Sequence, residues 1–228
     1  MSEGIRMSTS PFRRSLLLSL CTALTGVAGL AACGENNGVN GSVHVAAGTV
    51  AASAHTVNGS IHIDDNATVT SAGTVNGNVH LGAHATATSL NTVNGSISLG
   101  EGAHASGGVD TVNGEIALND SADAGGGISN VNGKIKVTSA HVAGGIHTVN
   151  GNITITGASR VEGGILVKKP SGNLFSNDDP IIIIGPGASV QGDLRFERKV
   201  RLYVSDKATI GTVTGATPLT FSGDTPPL

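Results

Sequence analysis

The sequence predicts an all-β chain wound as a single-stranded parallel β-helix, a solenoid of ~18-residue coils. Three observations predict it. Val-Asn-Gly recurs seven times, beginning at Val39, Val57, Val75, Val93, Val112, Val131 and Val149, at spacings of 18, 18, 18, 19, 19 and 18 residues. A unit repeated at so short a period cannot bury its own apolar face and must stack on its neighbours. Within the units branched apolar residues alternate with polar ones, as in Ile61-His62-Ile63, Val79-His80-Leu81 and Ile135-Lys136-Val137, which is the pattern of a half-buried strand. Finally, the chain has no Trp, one Tyr and four Phe against 34 Gly, so its interior must be narrow enough to be filled by Val, Ile, Leu and Ala.

From the N-terminus, Arg6, Arg13 and Arg14 form a basic flank, and Ser15 to Ala32 follow without a charge. Basic flank, apolar stretch and small residues at its end describe a secretory signal over 1–32, starting at Met1 or Met7. The stretch ends Leu30-Ala31-Ala32-Cys33 and then Gly34, which resembles the lipobox of bacterial lipoproteins. The resemblance implies that Cys33 is lipidated and becomes the first mature residue, holding the protein to a membrane. An ordinary signal cut near Ala32 and a retained membrane helix are the alternatives. Cys21 lies inside the segment to be removed, so the mature chain forms no disulfide. Removal of 1–32 takes three Arg and one Glu from 13 basic and 16 acidic residues, leaving 10 and 15, a net of −5. That balance gives no support to nucleic-acid binding.

Residues 33–37 read as a short tether and 38–167 as seven coils. Each coil is expected to hold one good strand, a weaker one such as Ala67-Thr68-Val69 or His141-Val142, and tight corners. Asn-Gly suits a sharp corner, because Gly accepts positive φ freely and Asn better than most residues. Stacked Asn40, Asn58, Asn76, Asn94, Asn113, Asn132 and Asn150 are expected to bond amide to amide along the axis, as a structural ladder rather than a ligand site.

Residues 168–180, polar and proline-bounded, read as an excursion loop. Ile181-Ile182-Ile183-Ile184 restarts strand character, and 181–221 are expected as further coils with a charged C-terminal cap carrying Arg195, Arg198, Lys199, Arg201 and Lys207. Residues 33–133 hold no Lys or Arg at all. Atypical polar ends are what solenoids need, because an open last coil pairs with other chains. Residues 222–228 read as a tail.

The Val-Asn-Gly units resemble those of bacterial adhesin-like β-solenoids, and Ile184 to Leu194 (IGPGASVQGDL) is similar to coils of the polymer-forming bactofilins. The likeness covers about 38–215 and implies a right-handed parallel β-helix with a scaffold or surface role.

Candidate chemistry is sparse. His44, His62 and His80 hold the same place in consecutive coils and are the metal candidates, with a solvated outer face as the plainer reading. Asp64-Asp65-Asn66 and Asn119-Asp120 with Asp123 are acidic turns without the glycine-aspartate nonapeptide of calcium β-rolls. A hexapeptide-type acyltransferase is the enzymatic rival, but His147, the last histidine, precedes the Ile-Gly-Pro-Gly-Ala segment. No cofactor and no catalysis are expected. The sequence expectation is an envelope lipoprotein, at the outer membrane, that offers a scaffold or binding surface to glycan, peptidoglycan or envelope proteins. Filament formation by end-to-end self-association is the second reading.

Overall fold

The computed structural model describes residues 34–170 and 179–227. The signal segment, Cys33, most of the excursion loop and the last residue lie outside them. Among the described residues there are twenty-four strands and no helix, and the strand pairings are parallel. Consecutive coils stack in a solenoid of about nine turns. At the usual spacing of parallel strands that is a rod roughly 40 Å long.

The early coils repeat one plan. A three-residue strand (Val43–Val45, Ile61–Ile63, Val79–Leu81, Ile97–Leu99) is followed by a nine-residue one (Val50–Asn58, Thr68–Asn76, Thr86–Asn94). The segment expected as a weaker strand is thus the start of the long strand in these coils. From the fourth coil on it separates as a two-residue strand, His104–Ala105, Asp123–Ala124 and His141–Val142.

Register makes the core columnar. Ile61, Val79, Ile97, Ile116, Ile135, Ile153 and Ile182 stack on one another, as do Ile63, Leu81, Leu99, Leu118, Val137, Ile155 and Ile184. All fourteen are at most 1% exposed. Burying a side chain of this size stabilises by about 1.5–3 kcal/mol, and a parallel stack of similar branched residues fills a narrow interior without voids. The outer residues between them (His62, Ser98, Lys136, Thr154) are wholly or partly exposed, as the period-two pattern requires.

The corners divide the work differently from the sequence expectation. Backbone with φ near 60° forms a column of its own, Gly48 (φ 68°), Asn66 (60°), His84 (54°), Gly102 (62°), Ser121 (60°), Ser139 (47°), Gly157 (65°) and Gly187 (76°). None of the Val-Asn-Gly asparagines has positive φ. The motif glycines Gly41 (φ 111°), Gly59 (154°), Gly77 (159°), Gly114 (157°) and Gly133 (133°) do have it, and glycine is needed there for close approach as well. A Cβ on Gly77 would lie 1.9 Å from the carbonyl oxygen of Gly59, and one on Gly114 2.0 Å from that of Gly95.

Gly34–Asn37, expected within a tether, is a strand paired in parallel with Val50–Asn58, Asn37 lying opposite His55. The physical reason is the edge: the first long strand offers a row of backbone donors and acceptors, and the chain arriving beside it can satisfy them. At the other end the coils resume after the insertion, with Ile181–Ile184 on Asn152–Thr156 and Arg201–Ser205 on Ile181–Ile184. Phe196, Tyr203 and Phe221 are buried here, and among the described residues the rest of the core holds no Phe or Tyr.

Candidate functional site

The outer surface carries three columns of functional groups, each generated by the same register that aligns the core. The first is the Val-Asn-Gly corner. Asn58 donates its side-chain amide to Asn40 Oδ1 at 3.0 Å, Asn76 to Asn58 at 2.9 Å, and Asn94 to Asn76 at 3.0 Å. Asn113 donates to Asn94 at 3.0 Å, Asn132 to Asn113 at 2.8 Å, and Asn150 to Asn132 at 2.9 Å. All seven asparagines therefore form one continuous row in which every rung donates toward the N-terminus. The last acceptor, Asn150 Oδ1, takes a short hydrogen bond from the Arg198 guanidinium, which also donates to the Val149 carbonyl at 3.3 Å.

Beside the amides runs a column of valines facing outward. Val57, Val75, Val93 and Val112 are 39–40% exposed, and Val39 is 68% exposed. An apolar ridge next to an amide row, repeated every coil, is a surface of one composition over most of the rod. Inside the same corner lies a row that the sequence reading did not single out. Thr56, Thr74, Thr92 and Thr111, all buried, donate their hydroxyls to the carbonyls of Gly41, Gly59, Gly77 and Gly95 in the coil below, at 2.9–3.1 Å. Asn130 replaces Thr in the next coil and donates to Gly114 at 2.8 Å. The signal was present as the Thr before five of the seven valines; a motif read as Thr-Val-Asn-Gly would have found it.

The second column holds the metal candidates. His44, His62 and His80 are in register, with ring centroids 6.0 Å apart for the first pair and 4.7 Å, stacked, for the second. His44 Nε2 meets Asp64 Oδ2 at 2.8 Å, His62 Nε2 lies 3.8 Å from the other oxygen of Asp64, and His80 Nδ1 turns away to Ser98 Oγ at 2.7 Å. Among the described residues no group of three or more His, Cys, Asp or Glu side chains is arranged to hold a metal ion. The His80 imidazole is held below its ordinary value, first by burial and then by the neighbouring His62, with Asp65 and Asp64 opposing. A hydrogen-bonded Ser98–His80 pair with a depressed imidazole is half of a nucleophile arrangement. The orienting carboxylate is missing, because Asp64 bonds His44 and Asp65 Oδ1 accepts from the Ala83 N–H at 2.7 Å.

The third column joins His104, Asp123, His141 and Arg160, which occupy one register position in four successive coils. Asp123 bridges both imidazoles at 2.6 Å through separate oxygens, and His141 Nε2 lies 3.4 Å from Glu162. The acidic turn at Asp123 is thereby occupied by histidines, and Asn119 donates to the Leu99 carbonyl at 3.0 Å. Cys33 lies outside the described residues, so its surroundings do not enter this geometry. No known protein family, no curated protein and no solved structure matches this chain.

Proposed function

We propose that this chain is a membrane-anchored envelope lipoprotein, held by Cys33, whose rod serves as a scaffold or adhesin-like binding surface without catalysis. The observation that carries the reading is the uninterrupted outer corner from Asn40 to Asn150, where valine and bonded asparagine recur in each coil. One weak contact repeated at a fixed pitch suits a repetitive partner, since each further contact is intramolecular once the first is made. An envelope glycan such as peptidoglycan is such a partner. The apolar run before Leu30-Ala31-Ala32-Cys33 supports export and lipidation.

Co-sedimentation of the purified protein with peptidoglycan sacculi tests the reading. Binding that weakens when the array is shortened by whole coils is the expected result. Absence of binding to sacculi at any array length would overturn the glycan partner. A second reading, end-to-end self-assembly, is favoured by the first coil: among the described residues Gly34–Asn37 and Val43–Val45 each pair on one side only. Light scattering that grows with concentration would support filaments, and a monodisperse monomer would remove them.

A further inference from the structure

The flat outer face is interrupted beside Lys134 and Lys136. Between the fifth and eighth coils lies a groove of about 350 Å³, bounded by Glu115, Lys134 and Lys136 on one side and Ile181 and Ile183 on the other. Its cause is the height of the side chains in successive coils. Lys134 pairs in register with Asn152, and Lys136 with Thr154, so two long side chains are followed by two short ones. The next coil brings Ile183 opposite Thr154. Asn152 and Thr154 thus floor a trough between a cationic wall and an apolar wall.

The walls are unlike the rest of the array. In the earlier coils the outward positions in line with Lys136 hold His44, His62, His80, Ser98 and Ala117, and residues 33–133 hold no Lys or Arg; beyond the isoleucines the next coil sets Arg201 in register with Ile181 and Tyr203 with Ile183. Lys134 and Lys136 are exposed, and neither takes part in a salt bridge among the described residues. Asn152 Oδ1 accepts from the Ile181 N–H at 2.8 Å, which fixes the amide and turns its NH₂ to the remaining space. Ile181 and Ile183 face outward, against the rule that polar residues fill this position, and are partly exposed. Glu115, opposite Lys134, supplies an acceptor at the far end.

We infer that this groove is a binding site for a single sugar unit carrying a carboxylate and a small apolar substituent. The assignment rests on the envelope-glycan reading and names the ligand class for it. The paired ammonium groups select an anion. The isoleucines accept a methyl-bearing substituent, and Asn152, Thr154 and Glu115 hydrogen-bond hydroxyl and amide groups. A fatty acid fits less well, since its chain would cover those three polar groups without bonding them. The volume falls at the small end of ligand pockets, and the groove spans three coil steps, roughly 14 Å, which suits one or two rings.

Titration of the full-length protein with N-acetylmuramic acid and with N-acetylglucosamine tests the assignment, because the two differ by a lactyl ether carrying the carboxylate and a methyl group. The acid is expected to bind about tenfold more tightly, and K134Q/K136Q to abolish that preference. Both lysines are exposed, so the double variant should keep the wild-type melting temperature. Equal binding of the two sugars, or a preference that survives in K134Q/K136Q, would overturn the site. If neither sugar binds while sacculi still do, the groove fails and the binding rod stands. If sacculi fail as well, both readings fall. A concentration-dependent doubling of mass that K134Q/K136Q removes would assign the groove to a second copy of the chain and overturn the sugar.

Discussion

A Cβ on Gly95 would fall 1.9 Å from the carbonyl oxygen of Gly77, one coil below. Both partners in that clash are backbone, held by hydrogen bonds to the coils above and below, so nothing can rotate away. Gly95→Ala is therefore expected to destabilise by about 3 kcal/mol, the upper part of the range for overpacking. Chemical denaturation measures it. A loss no larger than that of an ordinary surface substitution would show that the coils can separate locally at this corner.

Asn94 has a bonded amide on each side, whereas Asn40 has only the one from Asn58. Its backbone is not left-handed, so replacing it with Val strains nothing, and the cost is the amide bonds alone. Asn94→Val is expected to lose about 1–2 kcal/mol and Asn40→Val about half of that. Equal losses at the two positions would argue against a continuous row.

Ser121 adopts φ 60° at a corner where other coils use glycine. Left-handed backbone costs an L-residue about 1–2 kcal/mol, partly offset by the greater freedom of glycine in the unfolded chain. Ser121→Gly is expected to stabilise by about 0.5–1 kcal/mol, read as a rise in the denaturation midpoint. A fall would mean that the serine side chain contributes something the hydrogen bonds do not reveal.

Two groups set opposite pH dependences. The His80 pKa is lowered from 6.5 by burial and by His62, so its contribution to stability is complete above 6.5 and is lost as pH falls through the depressed value. The Asp110 pKa is raised from 3.8 by burial, with His147 opposing, so its contribution is complete below 3.8 and is lost as pH rises through the raised value. His80→Gln is expected to reduce the loss of melting temperature on acidification below about pH 6.5, and Asp110→Asn to raise the melting temperature near pH 7 but not near pH 3. An unaltered profile in either variant would remove that group from the account.

The anchor is tested apart from the fold. Cys33→Ser should leave the protein unacylated, recovered as uncleaved precursor or soluble material. Metabolic labelling of the variant with palmitate would defeat the lipoprotein reading.

The alternation at Ile61-His62-Ile63 made the inward and outward faces legible in the sequence, and the fixed spacing of Val-Asn-Gly made the stacking legible. The left-handed corner was not, because its residues are of four kinds, Gly48, Asn66, His84 and Ser121, and backbone angle alone unites them. Thr56 and its successors were missed because a hydroxyl suggests an outward face; here each finds a carbonyl in the coil below and can be buried. The groove depends on Lys134, Asn152 and Ile181 lying side by side, and 29 residues of chain separate the last two. Which side chains are tall and which short across that gap is a property of register, which no local pattern displays.

Because each asparagine donates in one direction and Arg198 offers only donors, the amide row is a file of like-oriented dipoles closed by a cation at its acceptor end. That polarity is indifferent to the number of rungs. Excising residues 59–76 would set Asn94 on Asn58 with the same bond and leave Arg198 on Asn150. Rod length is thus a quantity the gene can count, adjustable in increments of about 4.8 Å by whole units, with neither end redesigned.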